Sequence, residues 1–215
     1  MSETKADDIR SMVRAHYGNI ARGSNNGCAP GCCSVSGTAA ELLGYTADQT
    51  AAVPQGADLG LGCGNPTAIA SLRDGETVLD LGAGGGFDCF IAAHRVGPRG
   101  RVIGVDMTAD MVTRARENAR KVHATNVEFR LGEIEHLPVA DGSIDAILSN
   151  CVINLSPDKP AVFREAFRVL RAGGRLAISD VVATGPIPAE LQDQAAALAG
   201  CISGAALLED VRAML

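Results

Sequence analysis

Asp80-Leu81-Gly82-Ala83-Gly84-Gly85-Gly86-Phe87-Asp88 follows an apolar, strand-like run, Thr77–Leu81, and opens a helix-forming run, Phe87–Val96. Glycines in such a turn let the backbone reverse tightly and come close to a ligand. The dinucleotide fingerprint needs glycines at its first, third and sixth positions. Phe87 holds the sixth position here, so that pattern fails. Glycines stand instead at positions one, three and five (Gly82, Gly84, Gly86), with Asp80 before them. A plain strand-to-helix turn could look the same in isolation. Asp106, which ends the next strand-like run, gives this one a nucleotide-binding context: it is placed to meet two ribose hydroxyls.

Outward from this loop the pattern alternates. Strands are expected at Thr77–Leu81, Arg101–Asp106, Val127–Leu131, residues 144–149 and residues 176–180. Helices are expected at Phe87–Val96, Ala109–Lys121 and residues 161–170, the last closed by Gly173-Gly174. Strands alternating with helices predict a parallel sheet covered on both faces. Upstream, residues 5–17 read as a short helix, and 18–38, rich in Gly, Ser and Asn, as a mobile loop. A short helical piece lies within 39–65. Asn65-Pro66 then marks a helix start, Asn as cap and Pro at the first position, running to about Leu72. After Asp180 come a Pro-bounded loop and helical pieces near 188–199 and 205–214, and the chain stops at Leu215 inside an apolar helical pattern. The expected division is an N-terminal cysteine-containing segment (1–65), a nucleotide-binding domain (66–185), and the start of a C-terminal helical segment, cut short (186–215).

Composition narrows the function. Of 215 residues, 47% are hydrophobic and 20% charged, a globular balance. Two Tyr, five Phe and no Trp leave few platforms for stacking on single-stranded nucleic acid. The net charge of −6, with no basic run, disfavours a phosphate-backbone partner. No apolar run is long enough for a membrane span, and the acidic N-terminus has no signal-like core, so the expected location is the cytoplasm. Seven cysteines in that setting are expected to be reduced, and the odd number argues against a simple structural disulfide framework.

Cys63, Cys151 and Cys201 each adjoin a glycine or a strand end, as in Ser149-Asn150-Cys151-Val152-Ile153-Asn154-Leu155. Ligands of such sheets sit at the carboxyl ends of the strands, so Cys151 is expected to face the cofactor. Three thiolates converging on one atom suit a soft trivalent centre better than carbon chemistry. His16, His94, His123 and His136 are scattered and read as surface or packing residues, and Cys89 as a small core residue. Zinc on Cys28, Cys32, Cys33 and Cys63 would lack the usual paired spacing.

The glycine spacing resembles the S-adenosylmethionine loop of class I methyltransferases. This implies an α/β, Rossmann-like sandwich with a mainly parallel sheet, and S-adenosylmethionine as cofactor. Further stretches, Leu59 to Pro66, Val105 to Thr108, Ser149 to Lys159 and Gly200 to Ala205, are together similar to the arsenite S-adenosylmethionine methyltransferases over nearly the whole chain. The Asn-Cys-Val-Ile-Asn-Leu string is the most specific of them. The resemblance implies Cys63, Cys151 and Cys201 as arsenic(III)-binding cysteines, and Cys32 or Cys33 as the further N-terminal functional thiol. It implies cofactor contacts from Asp80, Gly82, Ala83, Gly84, Gly86, Asp106, Met107 and Asn150. Gly132-Glu133-Ile134-Glu135 would form the adenine edge, with Ile134 packing and Glu135 the favoured acceptor. It further implies arsenite and methylated arsenicals as substrates, thioredoxin or glutathione as reductant, and a role in arsenic detoxification. The rivals are a small-molecule C- or O-methyltransferase with incidental cysteines, and a non-enzymatic thiol-based metalloid or zinc-binding protein. The family usually continues well past position 215.

Overall fold

The computed structural model describes residues 3–23, 39–188 and 204–215. Its sheet comprises β1 (Thr77–Leu81), β2 (Arg101–Asp106), β3 (Val127–Leu131), β4 (Ile144–Asn150) and β5 (Leu170–Ser179). The strand order is β3-β2-β1-β4-β5 and every pairing is parallel. The sandwich is thus the expected class I methyltransferase architecture.

Side-chain alternation along the strands builds two core layers. Val78, Val102, Ala146 and Leu148 pack with Phe90 and Val96 of α5 (Phe87–Val96) and Val112 and Ala115 of α6 (Ala109–Lys121). Leu79, Leu81, Ile103, Val105 and Ile147 pack with Val162, Phe163 and Val169 of α7 (Lys159–Val169). Burying one such aliphatic or aromatic side chain contributes about 1.5–3 kcal/mol. A strand covered on both faces reads as continuously apolar, and from Val78 to Leu81 β1 does so except at Asp80, buried at 3% exposure.

At β1 the strand order changes direction, to β2 on one side and β4 on the other. Leu81 is in register with both Val105 and Ser149, so the loops after β1, β2 and β4 leave the sheet together. Such a switch point opens a crevice. The N-terminal α1 (Glu3–Ala21) crosses over it, packing Val13 with Cys151 and Leu155. Two short helices, α2 (Ala39–Leu42) and α3 (Ala47–Ala51), bring Tyr45 against Phe87 and Ile91. No helix among the described residues is long and apolar enough to cross a membrane.

Several boundaries differ from the sequence reading. α1 runs through residues 18–21, which the Gly/Asn content had marked as loop. α4 (Pro66–Ile69) starts at the expected Asn65 cap, whose side chain accepts from Ala68 N–H, but ends before Leu72. α7 begins at Lys159, because the Asp158 side chain caps it by accepting from Ala161 N–H. Gly173-Gly174 does not close that helix. It lies within β5, in a register shift where Ile144 pairs with Leu170 but Ala146 with Arg175. The glycines supply a bulge, a use of the residue that composition does not separate from a helix stop. The final helix, α8 (Leu208–Met214), starts later than position 205. Residues 24–38 and 189–203, with the loop and helical piece expected there, lie outside the described residues.

Candidate active site

The loop after β1 forms one wall of a crevice lined by Asp80, Gly82, Ala83 and Gly84. Gly82 has φ +67°, and a Cβ there would strike the Val152 side chain. Gly84 N–H donates to Asp106 Oδ2 at 2.9 Å, and Thr108 N–H to Asp106 Oδ1 at 2.8 Å. The strand-end acid is therefore oriented at the glycine turn. Gly86 is absent from the lining. With φ +93° it caps α5, and a Cβ there would collide with Phe90 and Phe129. Its requirement is packing behind the loop.

Met107, Ile134 and Glu135 line the opposite wall, and Arg10, Val13 and Tyr17 of α1 close over it. Glu135 is buried and accepts from Ser156 Oγ at 2.7 Å, with Arg10 Nη2 at 3.4 Å. Glu133 is absent from the lining and pairs with Arg10 and Arg14. Of the two acids flanking Ile134, Glu135 is the one that reaches the crevice.

Asp80 and Asp88, both buried, and the half-buried Asp106 face this space, and all three are pushed up from the ordinary carboxylate range. Burial dominates for Asp80, followed by the charge of Asp88. Burial also raises Asp88, against hydrogen bonds from Asn150 and Tyr45 that lower it. Burial raises Asp106, against the Thr108 and Gly84 amides. A cation bound here would offset the cost of ionising them. Cys89 is fully buried, its thiol pushed well up by burial and by Asp80, to which it donates at 3.2 Å. It is the core residue that the sequence implied.

The thiol corner lies at the end of β4. Cys151 N–H donates to Ser179 O at 2.9 Å, and Cys151 is held at φ +55°, an unusual value for a residue with a Cβ. Cys63 and Cys151 face each other as a disulfide pair, Cα atoms 5.9 Å apart across 88 residues. This departs from the expected fully reduced set. An odd number of cysteines excludes complete pairing, but it does not exclude one pair made by the fold.

Asn150 fixes the Cys63 loop. Its Oδ1 accepts from Cys63 N–H at 3.1 Å, and its Nδ2 donates to Gly64 O at 2.9 Å and Asp88 Oδ2 at 3.0 Å. Tyr45 Oη donates to Asp88 Oδ1 at 2.7 Å. Asn150 lines the crevice, and its carboxamide is committed to holding Cys63 beside Cys151. Cys28, Cys32, Cys33 and Cys201 lie outside the described residues.

A family model described as a methyltransferase domain matches residues 72–215. The chain belongs to the methyltransferase-domain family. This methyltransferase domain is similar over its whole length to the arsenite methyltransferase of Halobacterium salinarum, at 53% identity, and spans 58% of that protein. It is 40% identical to the arsenite methyltransferase of Aquipseudomonas alcaligenes over 94% of the chain and 59% of that relative. The chain thus spans somewhat over half the length of these curated relatives. Among solved structures it resembles an arsenic(III) S-adenosylmethionine methyltransferase from Chlamydomonas reinhardtii, with TM-score 0.66 and 36% identity. That match covers 84% of this chain and 61% of the other.

The sequence reading of this methyltransferase domain missed Arg10, Tyr45 and Asp180. Asp180 had a usable signal, because it follows β5 at the edge where Asp106 ends β2. Arg10 and Tyr45 reach the site from outside the alternating pattern, and no local spacing marks them.

Proposed function

We propose that this chain transfers methyl groups from S-adenosylmethionine to trivalent arsenic held by cysteine thiolates, in arsenic detoxification. The observation that carries the reading is the meeting of Cys63 and Cys151 at the end of β4, where Cys151 also lines the crevice that holds the glycine loop. In this reading Asp106 receives the ribose hydroxyls and Glu135 the adenine amino group. Met107 and Ile134 pack on the base. Gly82, Ala83 and Gly84 admit the methionine end beside Asp80, with Gly86 supporting the turn from behind. Asn150 contributes by holding the acceptor thiol at the cofactor's edge.

Thiolates replace the oxygens of arsenite and hold its lone pair toward the sulfonium methyl. The lone pair carries no proton, so no general base is needed. Positioning supplies most of the rate. Cys201 is the third thiolate for arsenite, and Cys32 or Cys33 the further N-terminal thiol. Methyl transfer leaves arsenic formally oxidised, and a cysteine pair returns two electrons by closing a disulfide. Thioredoxin or glutathione then reopens it. The close approach of Cys63 and Cys151 fits such a pair.

The test is labelled S-adenosylmethionine with thiol reductant, with and without arsenite, and separation of the arsenic species. Label in methylated arsenicals only when arsenite is present is the expected result. Cofactor binding with no arsenical product would favour a carbon or oxygen acceptor. Arsenic binding without cofactor binding would favour a thiol-based binding protein.

A further inference from the structure

We propose that Asp180 is a catalytic residue of the thiol corner: its carboxylate faces arsenic bound to Cys63 and Cys151 and stabilises the positive charge that arrives there with the methyl group. This rests on the reading of the corner as an arsenic site. The sulfurs of Cys63 and Cys151 and a carboxylate oxygen of Asp180 all lie within 4.8 Å of one another. The sheet register produces the grouping. Asn150 pairs with Ser179, so Cys151 and Asp180 are the next residues beyond two adjacent parallel strand ends. Cys63 reaches the same point because its N–H is held by Asn150.

The carboxylate is fixed. Asp180 Oδ1 accepts from Asn154 Nδ2 at 2.7 Å and from Val181 N–H at 2.9 Å, and Oδ2 lies 3.3 Å from Asn154 N. Asn154 belongs to the Asn-Cys-Val-Ile-Asn string and follows Cys151 by three residues, so one short segment supplies both a thiol and the clamp on the acid. A charge held in place by other groups needs no reorganisation during the reaction, which is what makes electrostatic stabilisation effective.

The chemistry defines what such a charge can do. The arsenic lone pair forms the As–C bond as the C–S bond of the sulfonium breaks, and the electrons of that bond return to sulfur. Arsenic passes from the trivalent to the pentavalent state, and no outside electron or proton enters the step. The positive charge leaves sulfur and appears on arsenic. Asp80, Asp88 and Asp106 line the crevice proposed to hold the cofactor, where a carboxylate favours the charge before transfer. Asp180 stands with the acceptor thiols and favours the charge after it. Only the second kind of interaction grows as the transition state is approached, so only it accelerates the step.

The experiment is a single turnover of labelled S-adenosylmethionine on arsenite already bound to the reduced full chain. Asp180→Asn keeps the side-chain volume and an oxygen for Asn154 and Val181 while removing the charge. Its methyl-transfer rate should fall at least about tenfold, toward the range seen on losing one oxyanion-hole donor. Arsenite stoichiometry and the KM for S-adenosylmethionine should stay within about twofold. Asp180→Glu, which restores the charge, should recover part of the rate. Rates are referred to the fraction of chains that capture arsenite, so unfolded protein does not count. An Asn variant at the unmutated rate would overturn the proposal, as would a rate loss that vanishes once arsenite capture is accounted for. Failure of the unmutated chain to methylate arsenite would overturn the underlying reading, and this proposal with it.

Discussion

The carboxamide of Asn150 accepts the backbone N–H of Cys63 at 3.1 Å, joining two segments 87 residues apart. Through this contact the thiol loop is fastened to the strand end that carries Cys151. The same side chain reaches Asp88 at the start of α5, so one residue ties the cofactor loop, the sheet edge and the thiol loop together.

Asn150→Ala should therefore loosen Cys63 without touching a sulfur. The expected outcome is slower closure of the Cys63–Cys151 pair under a mild oxidant and arsenite capture weakened about tenfold. Stability should fall by about 1–3 kcal/mol, because Asp88 and Gly64 O each lose a donor. Thiol titration against time and a denaturant melt would measure both. Pair closure at the unmutated rate would show that the loop is held by something else.

Asp106→Ala should weaken S-adenosylmethionine binding while leaving arsenite capture intact. Losing a charged hydrogen bond typically costs about 1.5–3 kcal/mol, a Kd increase of about tenfold or more. The Gly84 and Thr108 amides also lose their acceptor, which loosens the turn itself. Calorimetry with the cofactor measures the change. Unaltered affinity would remove Asp106 from the site.

Cofactor binding should release protons in mildly acidic buffer. Asp80, Asp88 and Asp106 are pushed above the ordinary carboxylate pKa of about 4, mainly by burial. A cation favours their ionised forms, so binding lowers those values and expels protons. Affinity should rise with pH from about 4 up through the raised values of the free protein. Stability of the free chain runs the other way. The folded state holds these protons more tightly than the unfolded state, so it loses stability as pH rises through the same window. Calorimetry in two buffers of different ionisation enthalpy counts the protons, and zero released would contradict the assignment of these acids to the cofactor.

Cys89 should resist alkylation under native conditions while Cys63, once reduced, reacts. Cys89 is fully buried and its thiol is pushed up by burial and Asp80, which removes both access and thiolate. Cys63 is exposed. Peptide mass spectrometry after a short pulse of iodoacetamide separates the two. Equal labelling would mean that α5 opens readily.

Much of the fold is legible locally because its signals are local. The β1 run, the glycine turn and the α5 run follow one another within twenty residues, from Thr77 to Val96, and fold as read. The same holds for β2, α6 and β3, where the change from strand to helix periodicity needs no knowledge of neighbours. Asn65-Pro66 announced a helix start through capping chemistry alone. Gly173-Gly174 shows the limit. A glycine pair marks a departure from regular backbone, but whether it ends a helix or bulges a strand depends on the partner strand, here β4.

The sequence by itself determined the alternating elements, the glycine turn with Asp80 and Asp106 at strand ends, and the placing of Cys151 where β4 stops. Hydrophobic period, turn chemistry and strand length act over a few residues, so they can be read from a few residues. The tertiary structure decided that β1 lies between β2 and β4, that Cys63 meets Cys151, and that Asp180 stands beside both. It also decided that Asn150 holds a thiol loop, and that Arg10 reaches Glu135 from a helix far upstream. These follow from strand order and register across the sheet, and from side-chain hydrogen bonds that close over some 90 to 125 residues. Spacing along the chain carries no information about distance at that range, because burial of both sheet faces chooses the strand order for the whole domain at once.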